Sequence, residues 1–452
     1  MRRIRFGLIL TLIGIGGFLA TALAQEVIKL TAWTIGPDDP SITRMTNLQK
    51  AADRLNTDLE AQGADFRVEL DATFDSTDWD PYLRRVLLAF QSGDAPDIVQ
   101  ASASLIGTWA SAGFLAPLDD EIPQFEQFSD VVPALWDAVT FEGKRYGIPQ
   151  DTEARPMFFN KVLLAKLGWS QEQIDSLPDR IASGEFTWDD LLATAKEAVD
   201  QGVVAAGNGY FHRPKNGPDF TMWYSAFGGQ DFDPATGKLV FDREGALRYY
   251  SWLKEAVDAG VLESDRLDNS WDRFHQTITG GDDGEVLFFS GGTWNWAEWA
   301  TQHVADRGGV DWLFDHFGFA PQPAWQAGGK PVTLSNPQAY MVSANSQHKD
   351  LAAQLLAYTT VPDLDAEHAV GSGHLPILTT TPSTVSNRFI KEVSYLLDFT
   401  TFVPSDADLG KWQDALFQGV SAVESGDLAP QEAVDVVVSL MQSQLGDKVD
   451  IR

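Results

Sequence analysis

The chain has 452 residues, of which 44% are hydrophobic and 21% charged, the balance of a folded protein with one large domain or two ordinary ones. Its formal net charge is −31, from 33 basic and 64 acidic residues, which argues against binding to nucleic acid or to anionic membranes. The sequence contains no cysteine, so disulfides, thiolate metal sites, iron–sulfur clusters and cysteine nucleophiles are excluded.

The first 24 residues have the three parts of a secretory signal. Three early arginines precede an apolar run over 6–19, and Ala22-Leu23-Ala24 supplies the small residues that a signal peptidase requires. We therefore expect residues 1–24 to be cleaved before Gln25 and the protein to be periplasmic or extracellular. An uncleaved membrane anchor is the alternative, because the apolar run approaches spanning length. Since no cysteine follows the signal, a lipoprotein anchor is excluded.

Strand-like and helix-like segments alternate after the signal. Apolar–polar alternation predicts strands over 27–33 and 66–74, and apolar stripes of helical period predict helices over 41–60 and 82–91. A short buried strand is predicted at 97–100. This repetition is typical of an α/β architecture with parallel connections.

The same pattern continues through the rest of the chain. Thr187, followed by two aspartates, predicts the capped start of a helix, because its hydroxyl can accept from first-turn amides. Further helices are predicted at 161–167, 349–358 and 432–445, and further strands at 286–289 and 338–343. No internal repeat or low-complexity tail is evident.

Conventional signatures of catalysis and of cofactor binding are missing. The seven histidines show no metal-ligand spacing, and there is no Walker loop, dinucleotide-binding glycine motif or nucleophile elbow. We therefore predict no catalytic residue, no metal and no cofactor. An exported carbohydrate-active enzyme remains an alternative, since two carboxylates such as Asp151 and Glu153 would suffice for one.

Tryptophan is abundant, with 15 residues, and Trp294 and Trp296 follow the pair Gly291-Gly292 directly after the strand-like segment EVLFF. Aromatic rings offer flat apolar faces that match the C–H faces of a pyranose. Core packing is the alternative for most of the tryptophans. The position of this cluster at the end of a strand favours a binding role, because binding residues gather in such loops.

Six segments, in order, resemble the family 1 extracellular solute-binding proteins, the group that contains maltose-binding protein. The segments are IKLTAWTIGPDD, SGDAPDIVQASASLIGTWASAGFLAPLDD, GKRYGIPQDTEARPMFFNKVLLAKLG followed by FTWDDLLATAKEA, GEVLFFSGGTWNW, AYMVSANSQHKDLAAQLLAY and GHLPIL. Each segment is modest alone, but six in the expected order are specific.

The resemblance implies a type II periplasmic-binding-protein fold, in which two α/β lobes clamp a ligand in the cleft between them. The implied lobes are 25–149 plus about 320–360 and 150–319 plus about 361–452, after the signal at 1–24. The hinge would have several crossings, implied near 148–152, 319–322 and 359–363. A closing cleft of this kind expels water and strengthens a few hydrogen bonds to the ligand.

The resemblance also implies ligand-binding residues. Glu153 occupies the place of a family carboxylate that binds sugar hydroxyls beside the hinge, and Trp294 matches the stacking tryptophan. Arg155 lies two residues after Glu153, so both side chains would point to the same side of an extended strand. An exposed salt bridge is the alternative for this pair. The remaining candidates are Trp296, Trp223, Trp33, Asp38, Asp39, Asp151 and Ser104.

One stretch departs from the maltose-binding relatives. Where they carry a tryptophan and an Asp-Arg pair after PDI, this chain has Ala101 and Ser104-Leu105. A maltodextrin specificity therefore cannot be inherited, although Gln100, Ser102 and Ser104 could supply weaker hydrogen bonds.

These observations predict a monomeric receptor of an ABC importer that binds a sugar or oligosaccharide and delivers it to permease subunits without catalysis. A receptor of the same fold for a polyamine, a polyol phosphodiester or a peptide is the alternative. The carboxylates of Asp38, Asp39, Asp151 and Glu153 would suit a polyamine.

Overall fold

The computed structural model describes residues 25–36, 39–233, 235–381, 385–404 and 406–452, with only the backbone described at 39–40. The predicted signal at 1–24 and the candidate Asp38 lie outside the described residues. In the described part of the chain, no helix has the length and apolar character needed to cross a membrane.

The strands, numbered along the chain, are β1 Glu26–Ile35, β2 Phe66–Asp75, β3 Ile98–Ser102, β4 Thr140–Phe141, β5 Lys144–Arg145, β6 Ile148–Asp151, β7 Met157–Asn160, β8 Tyr210–Phe211, β9 Phe232–Asp233, β10 Lys238–Phe241, β11 Phe288–Ser290, β12 Phe317–Ala320, β13 Thr333–Ser335, β14 Gln338–Val342, β15 Thr400–Phe402 and β16 Val449–Ile451.

The α-helices are α1 Thr43–Ala61, α2 Trp79–Ser92, α3 Ile106–Ser111, α4 Pro133–Ala138, α5 Lys161–Lys166, α6 Gln171–Asp175, α7 Leu177–Ala182, α8 Trp188–Asp200, α9 Asp219–Ala226, α10 Arg243–Asp258, α11 Trp271–Ile278, α12 Thr293–Glu298, α13 Val310–His316, α14 Lys349–Ala357, α15 Pro362–Ser372, α16 Arg388–Val393, α17 Leu409–Glu424 and α18 Pro430–Leu445.

The first lobe is built on a five-stranded sheet in the order β2-β1-β3-β14-β6. β1 pairs in parallel with both β2 and β3, whereas β14 runs antiparallel to β3 and β6. Helices α1 and α14 bury their apolar stripes on one face, which contains Leu30, Leu48 and Leu356. The other face packs on α2 and contains Val86 and Val99. The strands and helices predicted for this region are confirmed to within a few residues at their ends.

The second lobe is built on a four-stranded sheet in the order β12-β7-β11-β8, in which β7 is antiparallel to both neighbours. Apolar cores cover both of its faces. The predicted cap at Thr187 is confirmed, since its hydroxyl accepts from the Asp190 amide at 3.3 Å and its own amide donates to the Asp190 carboxylate at 2.9 Å. Two sheets with separate cores make the described chain a two-lobed α/β protein, as expected.

The chain passes between the lobes where β6 of the first sheet leads through 152–156 into β7 of the second. It returns from β12 to β14 through a segment that contains β13, and β13 pairs in parallel with β15. A third connection runs from α14, in the core of the first lobe, to α16, in a core of the second. The exact lobe boundaries stay a prediction.

Helix α17 contains two glycines with opposite surroundings, which gives a matched test of packing in the second lobe. A β-carbon on Gly419 would lie 2.3 Å from the Tyr250 hydroxyl and 2.8 Å from Val437, whereas one on Gly410 would meet no atom within 4 Å. We expect Gly419→Ala to lower the free energy of unfolding by about 2 kcal/mol, because the core must shift to admit the methyl group.

Gly410→Ala is the control. It should leave the free energy of unfolding unchanged or raise it by up to about 1 kcal/mol, because alanine has the higher helix propensity. Urea denaturation of the two variants measures both values. Equal stability of the two variants would contradict the packing described for this helix.

Candidate functional site

The segment 152–156 is anchored on both sides as it crosses between the sheets. Thr152 forms an antiparallel bridge with Leu375. The amide of Arg155 donates to the Thr333 hydroxyl at 2.7 Å, and the amide of Glu153 donates to the Ser335 hydroxyl at 3.3 Å. The crossing therefore holds Glu153 and Arg155 in an extended conformation between the lobes.

Glu153 is buried, and its partners come from three separate segments of the chain. Its carboxylate accepts from the Arg155 guanidinium and, at 3.2 Å, from the backbone amide of Asn336, and it lies 4.0 Å from Nε2 of His374. Burial raises the pKa of Glu153 to about 7, because the favourable charge of Arg155 does not offset desolvation and the nearby carboxylates of Asp151 and Asp219.

Arg155 joins Glu153 to a second carboxylate. Its Nη1 lies 3.3 Å from Asp219 Oδ2, and Asp219 also accepts from Arg213. Burial alone would raise the pKa of Asp219, but the two guanidinium groups hold it below its ordinary value. The Arg155 guanidinium also lies 4.9 Å from the ring centroid of Trp294, within the range of a cation–π contact.

Asp151, two residues before Glu153, has different partners. Its carboxylate lies 3.4 Å from Arg44 Nη2, 3.1 Å from His368 Nε2 and 3.3 Å from the amide of Gln338. Burial opposes ionisation of Asp151, but His374, Arg44 and His368 together hold its pKa well below the ordinary value. The oxygens of Asp151 are therefore engaged by protein groups.

We call these six charged side chains the cleft ion network: Arg44, Asp151, Glu153, Arg155, Asp219 and Arg213. The set contains three cationic and three acidic groups. All except Arg213 are almost fully buried, and each acid lies beside at least one cation.

Trp294 is the partly exposed aromatic residue of the site. Its ring stacks on His374 with centroids 5.7 Å apart and an interplanar angle of 14°. A β-carbon on Gly292 would lie about 2 Å from the indole ring, specifically 2.0 Å from Cζ3, so only glycine admits this placement. The amide of Thr293 donates to the carbonyl of Ala154 at 3.0 Å, which places the start of α12 against the crossing segment.

Other predicted residues lie deeper in the protein. Trp296 is buried in the second lobe and stacks on Phe389 with centroids 4.6 Å apart. Trp223 is also buried, and its N–H lies 3.4 Å from Gln322 Oε1, while the amide of Gln322 donates to the carbonyl of Arg155 at 3.1 Å. Trp223 therefore supports the crossing segment from behind.

The remaining predicted residues belong to the first lobe. Trp33 is partly buried under the Arg85 guanidinium, 4.3 Å from its ring centroid. The Ser104 hydroxyl is 2.7 Å from that of Ser102, which donates to Asn336 at 2.6 Å. Ser104 is thus joined through Asn336 to Glu153. Asp39 lies in the 3₁₀ segment Asp39–Ile42, and its side chain is outside the described part.

The sequence analysis missed Arg44, His368, His374, Asp219 and Arg213. His374 belongs to the segment GHLPIL, which had been singled out only as a family landmark. Arg44 and Asp219 are ordinary residues of first helical turns in the sequence, and no local signal distinguishes them. Their role depends on partners that are remote in the chain.

Two groups of described residues bring three possible metal ligands within 4.8 Å of one another: Asp151 with His368 and His374, and His275 with Glu298 and His303. In the first group, Arg44 Nη2 lies 3.4 Å from Asp151 and 3.3 Å from Nε2 of His374. Because a guanidinium already occupies this position, the first group does not fit a metal cation.

The second group does not fit a metal either. The Trp299 indole can only donate, and it does so to Nδ1 of His275 at 2.9 Å. The neutral imidazole therefore carries its proton on Nε2, the nitrogen that faces Glu298 at 3.4 Å. Burial, with a smaller effect of His303, lowers the pKa of His275 to about 3, so this imidazole stays neutral.

Residues 39–364 match the family model described as bacterial extracellular solute-binding protein. The chain belongs to this family. Among curated relatives, the arabinooligosaccharide-binding protein of Halalkalibacterium halodurans is 24% identical over 293 residues, which cover 63% of this chain and 59% of that protein. The maltotriose-binding protein of Pyrococcus abyssi is 23% identical over 295 residues, covering 64% and 56%. The matches thus span less than two thirds of these relatives' length.

Solved structures match this chain over a larger part of its length than the curated relatives do. The GacH receptor of Streptomyces glaucescens has a TM-score of 0.72 at 19% identity, covering 93% of this chain and 99% of that one. The sugar-binding protein MalE of Xanthomonas citri has a TM-score of 0.71 at 16% identity, covering 92% and 96%. The two-lobed fold of maltose-binding-protein-like receptors is therefore confirmed, and so is a solute-binding family.

The raised pKa of Glu153 predicts a pH dependence of stability. A folded-state pKa of about 7, above the ordinary 4.5, means that the contribution of this group is present below pH 4.5 and is lost as the pH rises through 7. Between pH 5 and 8, we expect wild type to lose up to about 3 kcal/mol of unfolding free energy relative to Glu153→Gln.

Urea denaturation across this pH range measures the difference between the two proteins. Glu244→Gln is the control, because the Glu244 side chain is 90% exposed and should give a curve parallel to that of wild type. If the Glu153→Gln curve is also parallel to that of wild type, burial does not raise the pKa of the Glu153 carboxyl group.

Proposed function

We propose that this solute-binding protein is the receptor of an ABC importer, that it binds a sugar or oligosaccharide between its lobes, and that it delivers the solute to membrane permease subunits without catalysis. It acts as a monomer outside the cytoplasmic membrane, after export directed by residues 1–24. The candidate ligand contacts are Glu153, Arg155 and Trp294, with Ser104, Asp38 and Asp39 as further candidates.

The observation that carries this proposal is the position of Glu153 and Arg155 on a crossing between two sheets, beside the partly exposed Trp294. A carboxylate, a guanidinium and an indole ring are the groups that bind hydroxyls and the apolar face of a sugar. Since closure of the lobes brings such groups together around a ligand, a site on the crossing suits a receptor.

The charge of the site favours a neutral ligand. The cleft ion network holds as many cationic as acidic groups, and Asp151 is already paired with Arg44. A polyamine would need carboxylates that lack a protein cation. The balance of the network therefore supports an uncharged polyol such as a sugar over a polyamine or a phosphodiester.

The relatives support the same class of solute. One is named for arabinooligosaccharides and another for maltotriose, so the family includes oligosaccharide receptors. Ala101 is fully buried in the first sheet, and Ser104 is bonded to Ser102. This stretch therefore lacks the tryptophan and the charged pair of maltose-binding relatives, so a sugar other than a maltodextrin is proposed.

Enzymatic cleavage of a glycoside is the second candidate, because a buried acid with the pKa of Glu153 resembles a general acid. Such an enzyme also needs a carboxylate free to act as a base or nucleophile. Asp151 is held by Arg44 and His368, and Asp219 is held by Arg155 and Arg213. The receptor is therefore the better supported function.

A thermal-shift screen of the protein from Gln25 onward tests the proposal against sugars, polyols, polyamines and peptides. A ligand at 100 times its dissociation constant should add about 2.7 kcal/mol of stability. We expect a shift with one class of sugar and recovery of that sugar unchanged. A shift with polyamines or peptides alone would overturn the sugar assignment, and recovery of a cleaved sugar would identify an enzyme.

With the sugar identified in that screen, Trp294→Ala should weaken binding by about 2 kcal/mol, roughly 30-fold, because the stacking face is lost. Trp169→Ala is the matched control, since this partly exposed indole packs on Phe186 in the second lobe. Isothermal titration calorimetry measures both affinities. Equal affinities of the two variants would show that Trp294 is not a ligand contact.

A further inference from the structure

A second buried titratable pair lies in the second lobe, behind the cleft ion network. His212 directly follows β8, and Glu424 is the last residue of α17, with side chains that are each 1% exposed. Nε2 of His212 is 2.8 Å from Glu424 Oε2, and Nδ1 is 2.8 Å from the backbone carbonyl oxygen of Arg213. Both ring nitrogens therefore face oxygen atoms at hydrogen-bond distance.

This arrangement constrains the protons of the pair. A backbone carbonyl only accepts, an ionised carboxylate only accepts, and a neutral imidazole carries a single N–H. Both hydrogen bonds can form only if the pair holds one proton more than a neutral imidazole and a carboxylate together. That proton lies on His212 or on Glu424, between Nε2 and Oε2, while Nδ1–H donates to Arg213.

Arg213 connects the His212–Glu424 pair to the cleft ion network. Its Nε donates to the carbonyl of Lys215 at 2.7 Å, and its Nη1 binds Asp219, the partner of Arg155. A β-carbon on Gly217 would lie 2.4 Å from the Arg213 guanidinium, so the loop wraps closely around this side chain. The backbone position of Arg213 therefore sets the position of Asp219.

We propose that His212 and Glu424 form a positioning pair, which shares one buried proton, fixes the loop 213–219 and so holds Asp219 against Arg155. The term positioning applies because neither residue reaches the cleft itself. The inference rests on the proposed function only in taking Arg155 as a ligand contact. The pair and its proton can be tested without a ligand.

The first experiment is nitrogen-15 NMR of the histidine rings in the full mature chain, with His212 assigned from the spectrum of His212→Gln. We expect both ring nitrogens of His212 in wild type to be protonated or to share a proton. In Glu424→Gln, the amide N–H donates to Nε2, so His212 should become a neutral ring with its proton on Nδ1. A wild-type ring with an unprotonated Nδ1 would overturn the shared proton.

The second experiment is hydrogen–deuterium exchange of the unliganded protein. In His212→Gln, we expect exchange to accelerate about tenfold in 213–222 and 152–156, with no change in α1. Glu424→Gln should exchange like wild type, because the hydrogen bond to Arg213 is kept. Gln418→Ala is the control, since this side chain lies exposed on the same helix as Glu424.

The pattern of exchange decides between positioning and general stability. Unchanged exchange in both segments, or an equal increase along the whole chain, would overturn the proposal. Failure of every sugar in the thermal-shift screen, together with the expected exchange pattern, would refute the proposed ligand class and leave the positioning pair standing.

Discussion

The burial of five charges, beside the partly exposed Arg213, on and around one crossing is the constraint on which the rest of the structure depends. An isolated buried carboxylate would cost several kcal/mol, so each acid of the cleft ion network needs a cation within reach. Arg44 comes from the first lobe, Arg213 from the second, and Arg155 from the crossing itself. The ion pairs therefore draw on residues from the first lobe, the second lobe and the crossing.

The same network separates two carboxylates that are neighbours in sequence. Asp151 is the last residue of β6, where the side chains of Arg44 and His368 converge, and it stays ionised. Glu153 lies two residues beyond the strand, where desolvation outweighs its single guanidinium partner. The pKa values of the two acids therefore shift in opposite directions, downward for Asp151 and upward for Glu153.

Trp294 packs against this group of charges. The indole lies over Gly292, contacts Arg155 and His374, and keeps part of its surface exposed. Rigid support of an aromatic ring lowers the entropy lost when a ligand binds. The positioning pair supports Trp294 indirectly, because it fixes the loop 213–219, in which Asp219 binds Arg155.

The sequence alone determined the α/β class and the helix cap at Thr187, because these depend on periodicity and local hydrogen bonding. It did not determine the partners of the buried charges. Arg44 is 107 residues from Asp151, and Asp219 is 64 residues from Arg155.

The two neighbouring tryptophans also show what the sequence alone could not determine. Trp294 and Trp296 are two positions apart on one helix, so they point in different directions, and only packing decides which one enters the core. The structure buries Trp296 against Phe389 and leaves Trp294 at the site. The ionisation and the exposure of a side chain depend on neighbours that the tertiary fold brings together, and local sequence patterns do not identify those neighbours.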